Sequence, residues 1–411
     1  MLPRGKKVRD VLPVSGSGGS IDSLPDKALQ HILGFLLAPE AVRTSVLARR
    51  WRHLWKFATA LRFGYLGDDE EAAVKAHREF VDHLLLLRGG SHLDTCEFRF
   101  SECDRDDEPR VNLWVRHAIL CKSRVLRLNM AFSDELLVID DLPLVSLHLT
   151  TLDLCFVQLH STFLNFSSCP ALEHLKLVDC DLSTVKRISS KSLKYLNLSY
   201  CLFDEHSRAC ICTPGLVSLH LNEPCGMTPV LDSMPSLLEA FFETVDDDSF
   251  MGGDICDRRM DNLDCRCRLC DSSDITDSGR RSVLLEGLSQ AKSLVLISSP
   301  NQIIIKSDLR WCPVFGKLKT LLLNGCWCEP DDFDALACIL EHSLVLEKLT
   351  LELFDLGPKF NVEMKGNFNL MERSDKISEH LSIVEVKCQD VGDKVLKVLK
   401  FLGTFNIGFI F

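Results

Sequence analysis

From Leu149 onward the apolar positions fall into one recurring figure. Leu149, Leu172, Leu193 and Leu216 each open an L-x-x-L-x-L hexamer, reading LTTLDL, LEHLKL, LKYLNL and LVSLHL. Their starts lie 23, 21 and 23 residues apart, and a degenerate copy, LLEAFF, begins 21 residues later at Leu237. Copies return as LKTLLL from Leu318 and LEKLTL from Leu346; between Leu221 and Leu318 the pattern degrades and the number of units stays open. Period-two apolar alternation predicts one short strand per unit, and a fixed repeat of this length predicts a stacked array. Pro170, Pro214 and Pro235 each stand two residues before an opening leucine, where the chain returns into the next strand. A buried leucine contributes roughly 2 kcal/mol, but only if a neighbouring unit covers it, so such units fold as a series. Eight residues after the opening leucine stand Cys180, Cys201 and Cys326, which read as core spacers. The intervening positions His174, Lys176, Lys194, Asn197, Ser218 and His220 are expected on the exposed sheet face, where they are the candidates for substrate binding.

The N-terminal pattern is helical instead. Ala28, Leu29, Ile32, Leu33 and Leu36 recur at helical spacing after Ser23 and Asp26, whose S-x-x-D spacing predicts a capping box. Pro39 then predicts a second helix, with Val42, Val46, Leu47, Leu54 and Trp55 on one broad side and Arg43, Arg49, Arg50 and Arg52 on the rest. Further on, AAVKAHREFVDHLLLLRGG predicts an amphipathic helix with Val74, His77, Val81, Leu84 and Leu85 on one side, stopped at Gly89-Gly90. His77 reads as a packed histidine. Near the end, Leu381, Ile383, Val384 and Val386 predict a strand, and Val391, Val395, Leu396, Leu399 and Leu402 a helix. The final FLGTFNIGFIF is too short to cross a bilayer and reads as buried strand.

Composition narrows the setting. With 46% hydrophobic and 26% charged residues, the 411-residue chain has the profile of a folded soluble protein with a substantial core. No apolar run is long enough to span a membrane, and the first twenty residues lack the apolar core of a signal peptide, so they read as a flexible tail. Nineteen cysteines, an odd count without an export signal, fit reduced thiols in the cytoplasm or nucleus. A net charge of −11 argues against nucleic acid as a partner.

That leaves RTSVLARRWRHLW, residues 43–55, with two tryptophans and four arginines. Two or three short helices bury too little to stand alone and need a partner surface, and Trp and Arg are enriched at interface hot spots. The run Leu24-Pro25-Asp26, then Ile32-Leu33-x-Phe35-Leu36, then Ala41-Val42-Arg43-Thr44-Ser45-Val46-Leu47, ending Arg49-Arg50-Trp51-Arg52-x-Leu54-Trp55, resembles the F-box of plant F-box proteins. It departs at Ala28, where Leu is usual, and at Leu37-Ala38, where a Pro commonly follows the first helix. The repeat spacing is similar to that of leucine-rich repeats, and VDHLLLLRGGSHLDTCEFRF with VNLWVRHAIL and RVLRLNM resembles the segment after the F-box in plant F-box/leucine-rich-repeat proteins. LSIVEVKCQDVGDKVLKVLKFL resembles their C-terminal FBD module.

The resemblance implies an α+β repeat protein: a flexible tail at 1–19, a helical F-box at 20–60, a linker helix and first irregular repeats at 61–130, a leucine-rich-repeat solenoid at 131–370, and an FBD-like strand–helix cap at 375–411. It implies a non-catalytic adaptor of a ubiquitin ligase. Leu24, Pro25, Ile32, Leu33, Val42, Leu47, Trp51 and Trp55 would bind a Skp-type adaptor and through it a cullin, and the repeats would hold a protein substrate. The alternative is a repeat scaffold that binds a partner or small molecule outside any ligase, its F-box-like helices serving as an end cap.

The rival chemistry sits in the acidic stretch 246–279, where Cys256, Cys265, Cys267 and Cys270 offer four thiols. C-x8-C-x-C-x2-C lacks the paired spacing of a zinc site, and ten aspartates around it read as a solvated loop. Asp246-Asp247-Asp248 lacks the spacing of a calcium loop. SGSGGS at 15–20 lacks the lysine of a phosphate cradle. No nucleophile elbow or metalloprotease motif appears, so no cofactor and no catalytic residue is expected.

Overall fold

The computed structural model describes residues 21–64, 71–101, 105–131, 136–244, 283–298, 308–309, 312–328, 333–353, 362–368, 378–389, 391–405 and 407–409. After a short 3-10 turn at Ile21–Ser23, α1 (Asp26–Leu33) starts at Pro25, whose φ of −65° already suits a helix entry and whose own side chain makes no capping hydrogen bond. Gly34 closes α1 against Ala60, whose amide nitrogen would lie 3.0 Å from any Cβ at that position. The predicted second helix is three pieces: α2 (Ala38–Arg43) and 3-10 turns at Thr44–Val46 and Arg49–Phe57, with Ala48 extended between them. β-branched Val42, Thr44 and Val46 are weak helix formers, and the Thr44 hydroxyl donates back to the Ala41 carbonyl at 2.7 Å, which competes with continuation.

Next come β1 (Ala60–Gly64), α3 (Glu71–Arg88), β2 (Thr95–Ser101), α4 (Glu108–Leu120) and β3 (Val125–Ala131). α3 buries Val81, Leu84 and Leu85, and Gly89 ends it in the left-handed region at φ +59°, where a glycine carries no steric penalty. The repeats follow as β4 (Leu137–Val138), β5 (Thr151–Cys155), β6 (Val157–Gln158), β7 (His174–Val178), β8 (Arg187–Ser189), β9 (Tyr195–Ser199), β10 (Cys210–Cys212), β11 (Ser218–Asn222), β12 (Val230–Leu231) and β13 (Glu239–Glu243). Beyond the undescribed 245–282, the chain forms α5 (Leu285–Leu288), β14 (Ser293–Ile297), β15 (Thr320–Asn324), α6 (Asp334–Glu341), β16 (Lys348–Leu353), β17 (Val362–Phe368), β18 (Ile383–Cys388), α7 (Asp393–Gly403) and β19 (Ile407–Phe409).

Among the described residues one open fourteen-stranded sheet runs β1-β2-β3-β5-β7-β9-β11-β13-β14-β15-β16-β18-β17-β19. It is parallel from β1 through β18, and β17 and β19 join antiparallel at the far edge. The hexamers account for its register. Leu152 pairs with Leu175, Leu175 with Leu196 and Leu196 with Leu219, and all four are buried, as are the opening leucines Leu149, Leu172, Leu193 and Leu216. One strand escaped the spacing. β14 carries the same figure with buried Ala291 in place of the opening leucine. The segments read as linker and terminal module join the same sheet through β1–β3 and β18. Of FLGTFNIGFIF, the first three residues close α7 and, among the described residues, Ile407–Phe409 is strand. No described helix is long and apolar enough to cross a membrane.

Cys180 and Cys201 are buried, as expected of spacers, and their thiols reach back to the Leu154 and Leu177 carbonyls of the preceding unit at 3.5 and 3.6 Å. The Cys201 thiol beside it and then burial hold the Cys180 pKa well above the ordinary range, so it stays a neutral thiol. Cys326 is only half-buried.

Candidate functional site

The segment 21–58 has two faces. On one, Leu29, Leu33, Ala38, Ala41, Trp51, Leu54, Trp55 and Ala58 are buried in the same core as Leu61 and Phe63 of β1. In the tight Arg49–Phe57 turn, residues three apart eclipse one another, so Trp51 and Leu54 enter the core together. Buried Arg88, at the end of α3, ties this face down: its guanidinium donates to the carbonyls of Trp55 and Ala58, both at 3.1 Å, and of His92 at 3.3 Å. On the other face Ile21, Leu24, Ile32, Phe35, Val46, Leu47 and Phe57 are exposed, Val46 by 84% and Leu47 by 68%. Arg50 pins the start of this face, donating to Asp26 Oδ1 at 2.6 Å and to the Leu24 carbonyl.

The eight sequence-derived adaptor candidates divide between these faces. Leu24, Pro25, Ile32 and Leu47 are exposed, Val42 is half-buried, and Leu33, Trp51 and Trp55 belong to the protein's own core. Phe35, Val46 and Phe57 were missed as candidates. The second helix is broken at Ala48, and Val46, in the short turn before the break, is exposed.

The sheet-face candidates lie in two adjacent rows. His174, Tyr195 and Ser218 face one another across β7, β9 and β11, and so do Lys176, Asn197 and His220. Lys194 does not share these rows. It precedes β9, where it pairs with Glu173 at 2.5 Å, and Tyr195 holds the register assigned to it, because side chains alternate strictly along a strand. The His174 ring stacks on Tyr195 at 4.4 Å and the His220 ring on Phe241 at 4.3 Å, so Tyr195 and Phe241 also belong to this face. Burial, and next the positive charge of Lys176, lower the His220 pKa and keep its ring neutral. Towards β3 the same row continues in the Arg127–Asp153 ion pair of 2.8 Å.

Cys256, Cys265, Cys267 and Cys270 lie outside the described residues. Within them two other groups bring metal-binding atoms together, Cys312 with Cys338 and His342, and Cys210 with Cys212 and Asp232.

Residues 21–58 match the F-box domain family. The chain is 29% identical over 267 residues to an F-box/LRR-repeat protein of Arabidopsis thaliana, covering 56% of this chain and 69% of that one. A second F-box/LRR-repeat protein of that plant is 27% identical over 380 residues, 82% of this chain and 94% of the relative. An FBD-associated F-box protein, also from Arabidopsis, is 27% identical over 361 residues, 81% of this chain and 74% of the relative. Among eight such relatives the share of their own length that is covered runs from 49% to 94%. The chain is similar to plant F-box/leucine-rich-repeat proteins over most of its length, and its F-box domain lies where the two-faced segment lies.

Proposed function

We propose that the chain is the substrate-recognition subunit of a Skp–cullin–F-box ubiquitin ligase, acting in the cytoplasm or nucleus. The observation that carries this reading is the exposed apolar face of the F-box, seven large side chains on a 38-residue segment that already buries a second face in its own core. Exposed apolar groups concentrated in this way mark a protein interface. Leu24, Pro25, Ile32, Phe35, Val46 and Leu47 would meet the Skp-type adaptor, while Leu33, Trp51 and Trp55 would hold the segment in shape. The sheet rows around His174, Tyr195, Lys176 and His220 would take a protein substrate, and residues 375–411 would close the array as an FBD-like module. The chain itself would carry out no bond chemistry. It supplies proximity, bringing substrate lysines to a recruited conjugating enzyme at high effective concentration.

A second reading, a scaffold whose F-box helices only cap the array, draws support from the seat that Trp51, Leu54 and Arg88 make on β1 and α3. Co-purification with a Skp-type adaptor separates the two. The native chain should retain the adaptor, and Val46→Asp with Leu47→Asp should lose it by 100-fold or more while unfolding at the same denaturant concentration; Leu24→Ala with Pro25→Ala should weaken it. A folded native chain that retains no adaptor leaves the scaffold reading in place.

A further inference from the structure

The strands β8, β10 and β12 form a separate three-stranded parallel sheet with a chemistry that the adaptor reading does not use. Ile188, Ile211 and Leu231 point into the core from these strands and are buried. Alternation therefore sends Arg187, Cys210, Cys212 and Asp232 to the opposite face. Register aligns them: Arg187 faces Cys210 across β8 and β10, and Asp232, just past β12, is set beside Cys212 by its amide bond to the Ile211 carbonyl at 2.9 Å. The Cys210 and Cys212 sulfurs are 3.3 Å apart. The Cys212 sulfur is 3.2 Å from Asp232 Oδ2, and Arg187 reaches it from the other side with Nε at 3.2 Å and a terminal nitrogen at 2.8 Å.

We propose that Cys210, Cys212 and Asp232 bind a thiophilic divalent cation of the zinc class, with Arg187 orienting the Cys212 ligand. Two thiolates and a carboxylate supply three corners of a tetrahedron and water the fourth, a donor set that suits zinc. Zinc–sulfur bonds of about 2.3 Å require sulfurs about 3.8 Å apart, so the observed pair opens by about half an ångström, within reach of a small side-chain rotation on a half-buried surface. Charge closes as well. Three anionic ligands leave a dication one negative charge in excess, and the Arg187 guanidinium, donating to the ligand sulfur, offsets it. Partners of this kind typically hold metal affinity up by 10–100-fold. The other thiol group, Cys312 with Cys338 and His342, is less suited, because His342 Nδ1 is engaged by the Cys338 carbonyl at 2.7 Å and lies 4.0 Å from the Cys338 sulfur.

The test is cobalt(II) titration of the fully reduced, full-length chain, read by the thiolate-to-cobalt charge-transfer band and by displacement with zinc. The proposal predicts that Cys210→Ser with Cys212→Ser abolishes the band belonging to one bound equivalent, that Arg187→Ala lowers affinity about tenfold, and that Asp232→Asn weakens binding. Cys265→Ser with Cys267→Ser and Cys270→Ser, or Cys312→Ser with Cys338→Ser, should leave that equivalent bound. X-ray absorption on the zinc-loaded native chain should count two sulfur neighbours, which keeps the test independent of whether the double variant folds. A band that survives Cys210→Ser with Cys212→Ser, a count of four sulfurs, or a reduced native chain that gives no band overturns the proposal.

Discussion

Arg88 serves three backbone carbonyls with one planar cation in a buried site. Arg88→Ala leaves those acceptors unpaired at the seat of the F-box, at a cost of roughly 2–4 kcal/mol, and Arg88→Lys should recover little because an ammonium lacks the flat fork of donors. Urea unfolding of the three proteins checks both statements. Gly226 sits at φ +81°, and a Cβ there would lie 2.3 Å from the Phe203 carbonyl oxygen. Gly226→Ala should destabilise the chain by about 2 kcal/mol or more through strain and collision together, seen as a lower urea midpoint.

At the scale of elements, the strands turn into the return segments by an unusual ladder. Phe156, Asp179, Tyr200 and Glu223 each follow a sheet strand in the left-handed region, φ 45° to 58°, and each donates its amide to the last strand residue of the next unit at 2.7–3.1 Å. Glycine or asparagine would have signalled such a turn, but only Asp179 hints at it, so the ladder was not legible beforehand. The hexamers were legible, because inward leucines must recur wherever a neighbouring unit covers them. β1, β2 and β3 hid their kinship because α3 and α4 stretch the step between units to 35 and 30 residues. At the site, Leu24, Pro25, Ile32 and Leu47 are candidates by sequence and are exposed, whereas exposed Phe35 and Val46 were missed and the fate of Trp51 and Trp55 could not be read. Periodicity shows that a side chain is apolar, not whether its own chain or a partner covers it. α3 also carries a titration device. His77 packs at a tilt against Phe100 with ring centroids 5.4 Å apart, its Nε2 is buried without a hydrogen-bond partner, and burial lowers its pKa from the ordinary 6.5. A lowered folded-state pKa means that the unfolded chain takes up the proton first. The stability it protects is therefore complete above pH 6.5 and is lost as pH falls below that value towards the folded pKa. His77→Gln should flatten the fall in urea midpoint on acidification across that window; an unchanged slope contradicts it.

For the molecule as a whole, a long open sheet carries at its β1 end an F-box that is seated by one face and free on the other. The sheet gives the segment a base through its buried residues, while Leu24, Ile32, Phe35, Val46 and Leu47 stay exposed. The relation between these two faces is the central claim, and amide hydrogen exchange on the full chain, alone and with a Skp-type adaptor, tests it most directly. The account predicts new protection confined to peptides spanning Ile21–Leu36 and Thr44–Arg50, with the core peptide around Trp55 and the sheet strands β5–β11 unchanged. Protection that is absent from those peptides at saturating adaptor, or that appears on the sheet face around His174 and His220 instead, would contradict it.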